Sequence, residues 1–302
     1  MPDGKQMTVE ILANPSHLEC VNPVVMGKVR AEQHFAGGEN RREKVVPMLL
    51  HGDAAFAGQG VVYESMQMQD LTNYTVGGTV HVIVNNQIGF TTVPSKGRSA
   101  TYASDLAKAI DAPIFHVNAD AMEEVHMVFK AAGEYRQKFK HDVVIDLIGY
   151  RKMGHNELDQ PSFTQPLMYQ QVAKMTPVAR VYEAELVEGG HLTADEVAAM
   201  KEDAIAQLEE AYAKSKTLTY KAEDWVTQEW AEIMEHDVKD AANTGIDAKR
   251  FRELGSLIAE LPKDADFHRL VKKIFEARAK SIQDGKDIDW GTAEALAFGS
   301  LI

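Results

Sequence analysis

The chain has one cysteine, Cys20, no cluster of lysines and arginines, no long apolar run and no internal repeat. A single cysteine builds no disulfide framework and fits a reducing compartment. With no basic patch and a formal net charge of −13, the chain lacks the electrostatic footprint of a nucleic-acid binder. No apolar run approaches the roughly 20 residues needed to span a bilayer. The segment Met1 to Gln6 carries neither an apolar signal core nor an Arg-rich presequence. The chain either stays where it is made or lacks its natural amino terminus. The acidity also sets a condition: an anionic ligand here needs local positive charge, a metal or helix amino termini.

What is present is ordinary globular composition, 45% hydrophobic and 25% charged over 302 residues, enough for more than one structural unit. The first half alternates strand and helix. Val45–Leu50 is a short apolar run, expected as a strand buried on both faces with Pro47 near its start. Small residues from Ala54 to Gly60 lead to a helix through Val61, Tyr63, Glu64 and Met68. Thr79–Val84 is a β-branched strand between Gly77-Gly78 and Asn85-Asn86. Pro113–Val117 is another strand. Asp120 and Glu123 form a capping-box pattern before a helix with Val125, Val128, Phe129, Ala132, Tyr135 and Phe139 on one face. Val143–Ile148 is a further strand. This alternation predicts an α/β fold, a parallel sheet flanked by helices, whose ligands sit beyond the carboxyl ends of the strands. From about Pro166 the pattern turns helical. Thr193 and Glu196 make a second capping box, Lys239 to Gly245 reads as a polar connection, and Ile246 to Gly285 is helical with a break at Pro262. The division expected is 1–165 as the α/β domain, 166–287 as a helical linker region, and 288–302 as the opening of a further domain.

Chemistry concentrates at the expected strand ends. Gly52-Asp53-Ala54-Ala55 ends one apolar run, and Asn85-Asn86-Gln87-Ile88 ends the next, with Asn86 33 positions after Asp53. A carboxylate, a carboxamide and a backbone carbonyl are hard oxygen donors, the kind that hold magnesium while a diphosphate completes its shell. Each also has a structural reading, Asp53 as a helix cap and Asn85-Asn86 as a turn. Asn14-Pro15-Ser16-His17-Leu18-Glu19 reads as a helix start, with Asn22-Pro23 repeating the device. Such a start suits an anion through its free amides, and equally is a plain helix start with a surface histidine. Tyr150–Glu157 follows a buried strand with two cations and a histidine, an anion-binding composition or a solvated basic loop. His51 either reaches the same rim or finishes its strand.

At these residues the chain resembles the thiamine-diphosphate-dependent 2-oxoglutarate dehydrogenase family. The resemblance rests on Asn-Pro-Ser-His-Leu-Glu (14–19), Pro-Val-Val-Met-Gly-Lys (23–28), His-Gly-Asp-Ala-Ala-Phe-Ala-Gly-Gln-Gly (51–60), Val-Asn-Asn-Gln-Ile-Gly-Phe-Thr-Thr (84–92), Gly-His-Asn-Glu (154–157) and Thr-Gln-Pro-Leu-Met-Tyr (164–169). The closing segment 289–301 also looks like this family. The resemblance implies that Asp53, Asn86 and the carbonyl of Ile88 bind Mg2+, which holds thiamine diphosphate. It places Leu18, Ala54 and Ala55 among the cofactor contacts. Ser16 and His17 would face the 2-oxo acid, and His155 would be a loop histidine near the cofactor. Ala54 stands where thiamine enzymes usually have glycine, which favours the 2-oxoglutarate branch.

The implied reaction is oxidative decarboxylation of 2-oxoglutarate in the tricarboxylic acid cycle. The succinyl group then passes to lipoyl-bearing dihydrolipoyl succinyltransferase, with dihydrolipoyl dehydrogenase as a further partner. A homodimer in the mitochondrial matrix is expected, or in the cytoplasm of a bacterium. The alternatives are a 2-oxoadipate dehydrogenase and a non-catalytic magnesium-diphosphate binding fragment. The family's activating glutamate belongs to a pyrimidine-binding domain that residues 288–302 only open. The chain is therefore expected to be a fragment that binds the cofactor weakly and does not turn over alone.

Overall fold

The computed structural model describes residues 4, 6–14, 16–37, 41–219 and 243–302. Pro15 and the 239–242 part of the expected polar connection lie outside the described residues. The chain divides into two units, Met1–Tyr212 and Ala213–Ile302.

Among its described residues the first unit opens with helix α1 (Val21–Phe35) and holds four strands, β1 (Met48–Gly52), β2 (Val80–Asn85), β3 (Ile114–Asn118) and β4 (Val143–Ile148). All pairings are parallel, in the order β1-β2-β4-β3, so the fold is α/β as expected. The two most β-branched runs, β2 and β4, take the central places, where neighbours cover both faces. β1 departs from its expected burial on both faces. Its residues alternate, with Met48 and Leu50 51% and 69% exposed while Leu49 and His51 are buried. The cause is position: β1 is an edge strand, and the helix on that face contacts β2, β3 and β4.

Helices α2 (Asp53–Gly58) and α3 (Gly60–Met66) follow β1. Together with a 3-10 segment, Ala103–Ile110, they cover one face, where Phe56, Val62, Met66 and Ala107 pack with Ile83 and Val144. A short α4 (Pro94–Gly97) precedes that segment. On the other face, α5 (Met122–Phe139) buries Ala132 among Val80, Val82, Val117 and Ile145, flanked by Val125, Val128, Phe129 and Tyr135. This is the stripe its spacing predicts, except that Phe139 is half exposed at the helix end. The Asp120/Glu123 capping box does not form. Ala121 is the cap, Asn118 Oδ1 accepts the Asp120 N–H, and the Glu123 carboxylate accepts from the Tyr182 hydroxyl. The Thr193/Glu196 box does form, with both reciprocal bonds at 2.8 and 3.2 Å, at the head of α8 (Ala194–Ser215). Helices α6 (Pro166–Val172) and α7 (Val178–Glu188) precede it.

The second unit holds three helices among its described residues, Ala248–Ala259, Arg269–Asp284 and Trp290–Leu301. The first two are separated by a stretch containing Pro262, as expected. The third is capped by Asp289, which accepts the Thr292 N–H at 2.8 Å.

One buried cation binds the non-strand parts of the first unit together. Arg136 of α5 is fully buried and donates to the carbonyls of Gly78 (2.8 Å), Arg42 (2.8 Å) and Val76 (3.0 Å). Burial pulls its pKa down to about 10, so it stays charged at neutral pH. Gly78 must be glycine: its φ is +86°, and a Cβ there would lie 2.2 Å from the His141 carbonyl oxygen. Arg136→Met leaves the Gly78 and Arg42 carbonyls without this donor, each worth about 1–3 kcal/mol when unpaired, while the Val76 carbonyl keeps Gln33 Nε2 at 2.9 Å. The expected loss is therefore at least about 2 kcal/mol, read from the urea midpoint. Arg136→Lys should recover only part, since one ammonium cannot reproduce the planar fork.

Candidate functional site

A parallel sheet delivers all its carboxyl ends to one rim. Gly52 closes β1 and Asp53 opens α2; Asn85 closes β2, opposite Ile148 of β4. The rim therefore gathers Asp53, the 86–90 loop and the 149–157 segment, as the sequence implied.

Asp53 is buried, 2% exposed, at the first position of α2. Gly52 is the cap residue and no side-chain cap bond forms, so Asp53 is not the helix cap. Burial pushes its pKa up, opposed by the guanidinium of Arg98, whose Nη1 donates to Oδ2 at 3.3 Å. Charge-assisted bonds normally close to about 2.7–2.9 Å. The backbone amides of Asp53 and Ala54 also hold the carboxylate and add to the pull of Arg98.

The Asn85-Asn86 pair splits its roles. Asn85 points inward, donating to Asp146 Oδ1 at 2.9 Å and accepting the Gln87 N–H at 3.1 Å; its work is to fix the turn. Asn86 stays half-buried on the rim, with Oδ1 accepting the Ile88 N–H at 3.2 Å. Between them Gln87 takes φ +62°, which reverses the chain so that Asn86 and the buried Ile88 belong to one tight loop. Gly89 brings this loop against α2: a Cβ on Gly89 would stand 2.6 Å from that of Ala54. Small residues at 54, 55 and 89 thus let backbone approach backbone where Asp53 emerges.

His155 is exposed, but its ring meets Phe90 edge-on with centroids 5.1 Å apart, which sets it beside the same loop. Gln87 Nε2 donates to the Gly149 carbonyl at 2.8 Å, and Gln165 Nε2 to that of Thr91 at 2.6 Å. The basic loop is partly internal in its bonding: Arg151 Nε donates to the Tyr169 hydroxyl at 3.0 Å, while Lys152 is exposed.

Ser16, His17 and Leu18 lie on an exposed turn, not on a helix start. Helix α1 begins at Val21, and Asn22 lies within its first turn. The reason is Glu19, whose φ of +70° no right-handed helix accommodates. Its side chain turns inward, accepting from Asn22 Nδ2 at 2.9 Å and from His51 Nδ1 at 2.6 Å. His51 therefore does not reach the rim. It finishes β1 from inside and continues a buried chain: His51 Nε2 to His81 Nδ1 at 3.0 Å, and His81 Nε2 to Asp142 Oδ2 at 3.4 Å. The exposed turn bearing His17 is tied through Glu19 to the strand that leads into Asp53.

The sequence reading missed Arg98, Gly89 and this histidine chain. Arg98 lies 45 residues from Asp53 in a polar stretch, and only the need for positive charge beside an anion pointed toward such a residue. His51 and His81 carried a usable signal, each standing on a strand of an expected parallel pair.

The donor set fits a hard cation. Asp53, the Asn86 carboxamide and the Ile88 carbonyl are all oxygen donors on one tight junction. Among the described residues no three His, Cys, Asp or Glu side chains converge as a metal site. No described helix is long and apolar enough to cross a membrane.

Residues 3–223 match the family model described as dehydrogenase E1 component. The chain belongs to that family. It is 46% identical over 309 residues to the mitochondrial 2-oxoglutarate dehydrogenase of Saccharomyces cerevisiae, covering 99% of this chain and 30% of the relative. The mitochondrial enzyme of Dictyostelium discoideum is 44% identical, with the same two coverages. The 2-oxoglutarate dehydrogenase E1 component of Brucella ovis is 46% identical, over 99% of this chain and 31% of the relative. The chain thus spans just under a third of these relatives.

The histidine chain yields a pH prediction. Burial lowers the His51 pKa against the opposing pull of Glu19, so the folded state binds a proton there less readily than the unfolded state does. Stability from this group is full above its ordinary value of about 6.5 and is lost as pH falls through that value toward the folded pKa. The urea midpoint should drop between about pH 7 and pH 5. His51→Gln keeps a donor for Glu19 but cannot titrate, and should flatten that part of the profile.

Proposed function

We propose that this chain is the magnesium- and diphosphate-binding part of a 2-oxoglutarate dehydrogenase. The observation that carries the reading is the junction of Asp53 with the Asn86–Ile88 loop, closed by Gly89 against Ala54. The names of the relatives supply the substrate, 2-oxoglutarate, and the family supplies thiamine diphosphate.

In this reading Asp53, Asn86 and the Ile88 carbonyl hold Mg2+, and Ala54, Ala55 and Leu18 contact the cofactor. Thiamine diphosphate, when bound, supplies the nucleophilic carbon and the electron sink for decarboxylation. The chain's own residues bind and orient. His17 and Ser16 offer donors to the 2-oxo acid from their exposed turn, and His155 stands over the 86–90 loop beside Phe90. Residues 288–302, with their Asp289-capped helix, open the pyrimidine-binding domain, after the 1–165 and 166–287 regions. The whole enzyme would hand its succinyl group to dihydrolipoyl succinyltransferase within the tricarboxylic acid cycle, alongside dihydrolipoyl dehydrogenase. It would work as a homodimer, in the mitochondrial matrix or the bacterial cytoplasm according to source.

Thermal melting with and without Mg2+ and thiamine diphosphate tests the site. Ligand should raise the melting temperature of the wild type and not that of Asp53→Ala. At ligand concentrations about 100-fold above Kd the stabilisation approaches 2.7 kcal/mol, on the order of 4 °C for a chain this size. Gly89→Ala should weaken the response by pushing the loop off Ala54. An equal rise in wild type and Asp53→Ala would refute the metal assignment.

A further inference from the structure

Arg98 poses a problem that the proposed site does not itself explain. It is the cation that faces Asp53 Oδ2, and its side chain is only 14% exposed. The contact uses one nitrogen, Nη1, at 3.3 Å. The neighbouring Nε is buried and has no hydrogen-bond partner. A buried guanidinium N–H without an acceptor costs on the order of 1–3 kcal/mol. Arg98 is thus held beside a carboxylate it satisfies poorly, with a second donor unmet.

A divalent cation arriving at Asp53 on its own meets this charge. Asp53 carries a single negative charge, and Asn86 and the Ile88 carbonyl add only dipoles. Two cations totalling +3 would then share one carboxylate in a water-poor junction, where like charges repel strongly. A diphosphate changes the balance. It brings several negative charges and a set of oxygens, enough to offset both the metal and the guanidinium. It also offers acceptors in the planar, bidentate geometry that an Arg fork matches.

We infer that Arg98 makes the site selective for magnesium together with a diphosphate over bare magnesium, repelling the lone ion and donating its unmet Nε–H to the diphosphate when both arrive. This rests on the reading of Asp53, Asn86 and Ile88 as the metal site. It goes beyond that reading by assigning a residue outside the ligand set and a binding order, with metal and diphosphate entering as one unit. It also answers the condition set by the chain's net charge of −13. The local positive charge an anionic ligand needs comes from one buried side chain on the loop after β2, reaching back to the end of β1.

The test is calorimetric titration of the 302-residue chain, first with magnesium chloride alone and then with thiamine diphosphate at saturating magnesium. Arg98→Ala should move the two affinities in opposite directions. Magnesium alone should bind at least about threefold more tightly, and thiamine diphosphate about tenfold more weakly. A purely structural role for Arg98 would weaken both. Arg98→Lys, which keeps the charge and loses the fork, should leave bare-magnesium affinity near wild type and still weaken thiamine diphosphate; it carries the test if the alanine variant does not fold. Affinities that fall together, or stay unchanged, in a chain whose magnesium binding needs Asp53 overturn the role of Arg98 and leave the metal site standing. Wild type and Asp53→Ala binding magnesium alike overturns the metal site, and this inference with it.

Discussion

Asp53 is a charge placed where water scarcely reaches, and the rim is organised around the cost of keeping it there. Removing a carboxylate from water without full pairing is expensive, and in most proteins such a group neutralises or finds several donors. Here it has one cation, at a long 3.3 Å, and burial pushes its pKa up. A helix cap would have used the carboxylate locally, but Gly52 occupies that place. What remains is a buried carboxylate facing Arg98 and the backbone amides of Asp53 and Ala54. Perturbed groups of this kind concentrate at functional sites because binding, and not folding, completes their shell.

The precision of that arrangement comes from backbone more than from side chains. Parallel register brings the ends of β1, β2 and β4 to one rim, and two non-glycine residues in the left-handed region, Gln87 and Phe90, fold the 86–90 loop back on itself. The Gly89–Ala54 contact then sets the distance between loop and helix to within a methyl group. Asn85 serves this geometry by fixing Asp146 and the Gln87 amide, which frees Asn86 for the surface. A pair that looks redundant in sequence is divided between support and display.

Much of this could be read before any coordinates. The β-branched runs and their turn residues located β2 and β4, and the apolar stripe located α5, because local pattern and burial coincide there. The placement of Asp53, Asn86 and Ile88 on one rim was legible because a parallel sheet brings its strand ends to one edge. The failures came where long-range contacts override local propensity. Asn14-Pro15 and Asn22-Pro23 looked like helix starts, but the inward pull of His51 and Asn22 on Glu19 holds φ at +70° and delays α1 to Val21. Asp120 and Glu123 had capping-box spacing, yet Asn118 and Tyr182 compete for the same groups and win. Arg98 was invisible for a related reason: nothing in its neighbourhood announces a partner 45 residues away.

The Glu19–His51–His81–Asp142 chain shows why the turn and the rim should be regarded as one object. Glu19 immediately follows the Ser16–Leu18 turn, and His51 lies two residues before Asp53. Their 2.6 Å bond links the turn expected to face substrate to the strand that leads to the groups expected to hold the cofactor. His51 is itself braced from behind by His81, which leans on Asp142, whose backbone amide is fixed by Gln69 at 2.7 Å. An exposed turn would ordinarily sample many positions. Anchoring its last residue to a buried, hydrogen-bonded stack removes that freedom before any ligand arrives. The same stack lies against Phe56 of α2, the helix that Asp53 begins, through ring contacts from both histidines. The Ser16–Leu18 turn, the Asp53 carboxylate and the sheet interior are thus positioned by one connected set of side chains, so a change at any member should move the two ends together.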